Sequence, residues 1–415
     1  MDFIRSLGYP KEIYKLLRFK LGGYRAVMPD LDRDSMRQSL QTCYRYLNET
    51  SRSYAAVIQV LDGELRDAAC IHYLVLRALD TVEDDMTISL ESKVATLRNF
   101  HTYLYDPEWK FAESKEQHRQ VLKDFPTISL EFRNLAVVYQ DVIADICAKM
   151  GEGMANFQEN KVDSLKQWDE YCIAATGLFA LGLCHLVSAS ELEDGAVGMD
   201  IHFANTTGLF LQKTNIIRDY LQDQLEGRAF WPREVWSKYA KKLSDFAKPE
   251  NIVPALQCLN ELITNALNHV PDVLRYLSRL KNKRIFRFFA IPHVMAIATL
   301  AAFYNNQQVF KGVVKIRKGQ TVTLMMDATN MDAVRAITLQ YMEEIYQKIP
   351  PSDPTSGKTQ HIISSIRSLC LPNASVVSHK YLPPIYLSCA VLLAAFSYQY
   401  LGTVSQVSEE LHASQ

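Results

Sequence analysis

Apolar residues recur at intervals of three and four along most of this chain, and that spacing points away from a β fold. The stretches are long: residues 54–79, 130–150, 167–190, 205–222, 252–280 and 333–348. The strict alternation that a half-buried strand requires is not sustained anywhere. Gly (16) and Pro (15) are too scarce in 415 residues to punctuate many short strands, and they cluster where helices would end. Breaks are expected at 22–29, 106–107, 195–198 and 227–232. The fold class is therefore all-α, with one globular body over residues 1–370, a linker at 371–384 and a short tail at 405–415.

Residues 385–404 stand apart. Between Lys380 and Glu409 the chain carries no charge, and the run from Ile385 to Val404 has about the ~20 residues that a bilayer-crossing helix needs. Tyr386, Tyr398 and Tyr400 sit near its ends, as interfacial aromatics do. A C-terminal transmembrane anchor is expected. The other apolar run, Phe288 to Tyr304, is shorter and contains Pro292 and His293, so a buried core helix is expected there. Lys and Arg (45) balance Asp and Glu (46), which removes any global field for nucleic acid. Eight cysteines lie scattered in apolar runs without metal-binding spacing and are expected to be reduced and packed, facing the cytosol. Gly151-Glu-Gly153 lacks a preceding strand and a third glycine, so no dinucleotide-binding Rossmann domain is expected.

Two acidic stripes carry the chemistry. In Asp80-Thr-Val-Glu-Asp-Asp85, helical spacing puts Asp80, Glu83 and Asp84 on one face, with Tyr73 and Arg77 one to two turns earlier. In the stretch from Phe210 to Asp223, the residues Gln212, Asn215, Asp219 and Asp223 align in the same way, beside Arg218. A lone D-x-x-x-D is weak, since Asp30/Asp34 and Asp141/Asp145 also have it and solvated faces explain them. The company of arginine on otherwise apolar helices sets the other two apart. Crowded carboxylates repel unless a cation lies between them, and oxygen-only ligands suit Mg²⁺ bridging to diphosphate. Arg52, Arg77, Arg218 and Arg228 could neutralise the remaining phosphate oxygens.

In order along the chain, Ser51-Arg-Ser-Tyr54, Leu76 to Asp85, Tyr171-Cys172, Leu211 to Tyr220, Phe230-Trp-Pro232 and Val314 to Gly319 resemble the squalene synthase family of animal type. The resemblance covers essentially the whole chain. It implies a single isoprenoid-synthase-type helical bundle with a central cavity. It also implies a farnesyl-diphosphate farnesyltransferase that joins two farnesyl diphosphates through presqualene diphosphate and reduces the product to squalene with NADPH. Asp80, Glu83, Asp84, Asp219 and Asp223 would hold Mg²⁺, and Tyr171 would remove a proton. Arg52, Arg77, Arg218, Lys315 and Arg317 would contact cofactor or substrate phosphates. Ser51, Ser53, Tyr73, Gln212, Asn215, Arg228 and Phe288 would contact substrate. A monomer at the endoplasmic reticulum membrane, with its catalytic body in the cytosol, is the implied setting.

Departures from the family pattern fall on the expected cavity wall. They are the run from Ile173 to Ala180, Thr207 in place of methionine, Gln222 in place of an acid, and Phe289 beside Phe288. Two other outcomes follow. One is an enzyme that stops at presqualene diphosphate or releases another C30 product, and the second is a noncatalytic, membrane-anchored helical scaffold.

Overall fold

The computed structural model describes residues 9–22, 35–159 and 162–371, apart from the side chains of residues 52, 53, 158 and 159. Among these residues every regular element is a helix. Nine organise the site: α1 (Pro10–Lys20), α2 (Gly63–Asp84), α3 (Val137–Glu159), α4 (Leu165–Cys172), α5 (Leu178–Ala189), α6 (Ile201–Arg218), α7 (Tyr220–Leu225), α8 (Lys283–Phe303) and α9 (Lys318–Asp327). The expected anchor and tail, and the linker beyond its first residue Leu371, lie outside the described residues, which end one residue beyond the helix Ser356–Cys370.

Helix α2 is buried on almost every side and packs on α3 and α5, while α6 crosses α5 and α8. The expected single stretch 54–79 is two helices: the first ends at Ile58, and the second begins at Gly63, whose φ of +59° redirects the chain as it enters the new helix. Helix α4 starts on a capping box in which Ser164 and Gln167 satisfy each other's backbone N–H groups. Between α4 and α5 the residues Ile173–Gly177 form one π-helical turn. The backbone of α6 lies against it: a Cβ on Gly208 would sit 2.4 Å from Gly177 N and Cα. Glycine at 208 permits this approach, whereas a Cβ on Gly177 would meet only the Ile173 side chain at 3.3 Å and Asn205 Oδ1 at 3.7 Å.

Two helical segments, Leu165–Ala189 and Lys283–Phe303, are long and apolar enough to cross a membrane by length and composition. Both are part of the bundle, and 72% of the apolar window of α8 is buried, as expected for a core helix. The seven described cysteines are free and buried. Helix α1 docks on α9 through charge: Arg317 Nη2 donates to Glu12 Oε1 at 2.6 Å, and Lys15 Nζ reaches Asp327 Oδ1 at 2.5 Å. Gly319 makes room, since a Cβ there would lie 2.8 Å from that of Glu12.

Candidate active site

A cavity of about 550 Å³ opens between α2, α5, α6 and α8. Its floor is apolar, with Leu76, Leu183, Leu211 and Phe288 among the walls; its rim holds Asp80, Glu83, Asp84, Asp219 and Asp223. Both acidic stripes therefore converge on one mouth. The first stripe lies at the C-terminal end of α2, where the backbone dipole already presents negative charge, whereas Asp219 sits at the junction of α6 and α7. That placement adds to the demand for a cation.

Arginines meet part of the demand. Arg77 pairs with Asp80 and also donates to the Tyr73 hydroxyl at 3.2 Å. Arg218 grips its neighbour Asp219 with two bonds of 2.8 and 2.6 Å. Arg228 spans the mouth, reaching Asp84 at 3.2 Å, Asp223 at 3.2 Å and Glu226 at 2.6 Å. Even so, burial and the neighbouring Asp80 push Asp84 up to about 7, with Arg228 and Arg77 opposing the shift. Burial raises Asp223 to about 6 against the pull of Arg228. Glu83 is pushed well above the carboxylate range by burial first and then by Asp80 and Asp84. The rim thus holds more negative charge than its arginines stabilise.

These donors fit Mg²⁺. All are oxygens, and among the described residues no three acids close around one point as a cage would. A small hard ion that keeps waters and shares itself with phosphate suits such a rim better than a fully protein-coordinated ion does.

Tyr171 lines the same cavity, 8% exposed, stacked on Phe230 at 5.2 Å and edge-on to Phe157 at 5.4 Å. Burial and then the acids Glu83, Asp80 and Asp84 hold its phenol well above the usual range, so it stays protonated. Tyr73, Gln212, Asn215, Ser51 and Phe288 line the cavity as expected. The side chains of Arg52 and Ser53 lie outside the described residues. Lys315 and Arg317 are not among the lining residues: Lys315 is exposed, and Arg317 is held by Glu12 with its guanidinium 3.7 Å over the Tyr9 ring. The structure does not bring these two to the cavity.

Half of the departing run Ile173 to Ala180 and the three single departures do face it. Ala175, Thr176, Phe179, Ala180, Thr207 and Phe289 all line the wall, and Gln222 lies at the rim. Thr176 Oγ1 donates to Gln212 Oε1 at 2.7 Å. Phe179 packs against Tyr54 at 5.4 Å and His72 at 5.2 Å. Sequence reasoning missed Tyr54 and Phe179 as aromatic wall, His293 as a lining group, and Glu12 as the partner of Arg317.

Residues 47–320 match the squalene/phytoene synthase family model. The chain belongs to that family. Squalene synthases of Bos taurus and Homo sapiens are 68% and 67% identical to it over 410 residues, covering 99% of this chain and 98% of theirs. A solved structure described as TcSQS with the ligand BPH1237 superposes with a TM-score of 0.79 at 39% identity, covering 80% of this chain and 99% of that one. The structural match bears out the all-α fold.

Proposed function

We propose that this chain condenses two farnesyl diphosphates head to head through presqualene diphosphate and reduces the product to squalene with NADPH. The single observation that carries this reading is the rim-over-floor arrangement: five carboxylates and three arginines from α2, α6, α7 and the segment after it surround the mouth of a cavity with apolar side chains in its walls. A diphosphate head and a long hydrocarbon tail match those two environments.

Asp80, Glu83 and Asp84 on one side, with Asp219 and Asp223 on the other, would hold Mg²⁺. Bound there, the ion would supply positive charge to the departing diphosphate. Arg77, Arg218 and Arg228 add fixed donors to the same oxygens. The apolar walls exclude water from the allylic cation left behind. Protonated Tyr171 cannot act as a base unaided; beside the released diphosphate its hydroxyl can hand its proton on as it takes one from the hydrocarbon. NADPH would supply hydride for the final step. Lys315 and Arg317 are proposed to hold its phosphates, which requires Arg317 to leave Glu12. Residues 385–404 are proposed to tether the body, residues 1–370, to the endoplasmic reticulum membrane with the body in the cytosol.

A second reading, release of presqualene diphosphate or another C30 product, is favoured by one observation. The wall carries the hydroxyls of Thr176 and Thr207 and the bulk of Phe289, all positioned to alter how a cation rearranges. Product analysis of the full chain with farnesyl diphosphate and Mg²⁺, with and without NADPH, tests both readings. Squalene with NADPH and presqualene diphosphate without it is the expected result. Absence of Mg²⁺-dependent diphosphate release refutes both and leaves the scaffold.

A further inference from the structure

The far wall of the cavity contains a buried polar pair that the reaction scheme above does not use. Thr207 is eight residues before Asn215 on α6, about 12 Å further from the acidic rim along the helix axis. Its Oγ1 lies 3.3 Å from Nε2 of His293 on α8, and the two residues are 3% and 1% exposed. His293 Nδ1 lies 2.5 Å from the Phe289 carbonyl oxygen. A carbonyl can only accept, so Nδ1 carries the proton of the neutral ring and Nε2 is bare. Burial lowers His293 to about 4, with the Phe289 carbonyl opposing, and the ring is therefore neutral at pH 7. It lies parallel to Phe210, 6.1 Å between ring centres at 3°, and cannot turn freely. The Thr207 hydroxyl must then donate to Nε2. Its oxygen lone pairs remain, on a residue that lines the cavity wall beside Phe288, Phe289 and Ala296.

A rotating hydroxyl would present its hydrogen to the cavity part of the time, which repels positive charge. Tethered to His293, it presents oxygen instead. We propose that Thr207 determines product in the second half-reaction by offering this fixed oxygen dipole to the cationic C30 hydrocarbon, and that His293 is the positioning residue that holds the dipole in place. This rests on the reading that the cavity carries a C30 cation. A single preorganised dipole in a water-free site is expected to change one rate by about tenfold.

The test uses the full chain with Mg²⁺ and NADPH, fed either farnesyl diphosphate or presqualene diphosphate. It measures diphosphate release in each half-reaction and the proportion of squalene among C30 products. Thr207→Val, which keeps shape and removes the oxygen, and His293→Leu should each lower the second rate relative to the first by about tenfold and shift the C30 products. His293→Gln keeps an acceptor for Thr207 and a donor for the Phe289 carbonyl, and should restore the ratio. The proposal is overturned if Thr207→Val leaves the rate ratio and products as in the parent, if both half-reactions fall together, or if His293→Gln behaves as His293→Leu. Absence of diphosphate release from farnesyl diphosphate in the parent chain removes the functional reading and the proposal with it. Release from farnesyl diphosphate with an unmoved ratio removes the proposal alone.

Discussion

Replacing Arg228 with methionine removes the cation that bridges the two acidic helix ends while keeping most of the apolar stem. Three ion pairs are lost. The contact to Asp223, whose side chain is 9% exposed, is a charge-assisted bond of about 1.5–3 kcal/mol. Asp84 and Glu226 are 41% and 42% exposed, so their pairs are worth about 0.2–1 kcal/mol each at most. A loss of about 2–5 kcal/mol is expected. For a body of roughly 350 residues, at about 2 cal/mol/K per residue, the melting midpoint in chelator should fall by roughly 3–7 °C. The informative comparison is with Mg²⁺ added. In the parent the ion must displace Arg228 from its carboxylates, whereas in the variant it enters an uncompensated site, so Mg²⁺ should raise the midpoint more in the variant. Thermal unfolding followed by circular dichroism reads both numbers. The reasoning fails if the variant melts with the parent in chelator, or if Mg²⁺ stabilises the two equally.

Asp219→Asn should abolish Mg²⁺-dependent diphosphate release while leaving the helical circular dichroism signal intact; appreciable turnover would remove Asp219 from the ion's ligands. Reversing charge at both Lys315 and Arg317 should cost squalene formation far more than diphosphate release, at about one to two powers of ten in NADPH affinity for each lost phosphate contact. Equal loss of both half-reactions would reassign the loop to substrate binding or folding. Gly208→Ala places a Cβ 2.4 Å from the Gly177 backbone, which cannot swing away as a side chain can. About 1–3 kcal/mol of destabilisation is expected, visible as a lower melting midpoint; an unchanged midpoint would show that α6 can retreat without cost.

The acidic stripes were legible because helical spacing and charge are both local properties. Asp80, Glu83 and Asp84 needed only the certainty of a helix to share a face, and Phe288 to Tyr304 needed only its length and proline to be assigned to the core. The helix boundaries were less so: nothing in the apolar pattern of 54–79 separates one helix from two, because the break over residues 59–62, closed by the positive φ of Gly63, is made by the backbone. The π turn at Ile173–Gly177 packs against α6 through Gly208, thirty-one positions after Gly177, a contact with no local signature. Arg228 was expected as a phosphate ligand, and its grip on Asp84 across 144 residues of sequence has no local signature. His293 figured only as an obstacle to a membrane span, since a histidine's partner across a cavity cannot be inferred from its neighbours in the chain. Arg317 shows the same limit at greater range, its partner Glu12 being 305 residues away.

That last pairing changes what an anion meets when it reaches the basic loop. An arginine open to solvent gathers small counter-ions, and a phosphate that binds it releases them, so its affinity falls as salt rises. Arg317 is already neutralised by a carboxylate of its own chain. A phosphate arriving there trades places with Glu12, and the local charge is rearranged more than it is cancelled. Binding through Arg317 becomes an exchange between two anions, shallow in its dependence on ionic strength and set by which anion fits the guanidinium better. The exposed Lys315 two residues earlier keeps the ordinary salt dependence. The freed Glu12 would also loosen the hold of α1 on α9, so the occupancy of one arginine would be legible at the N-terminal end of the chain.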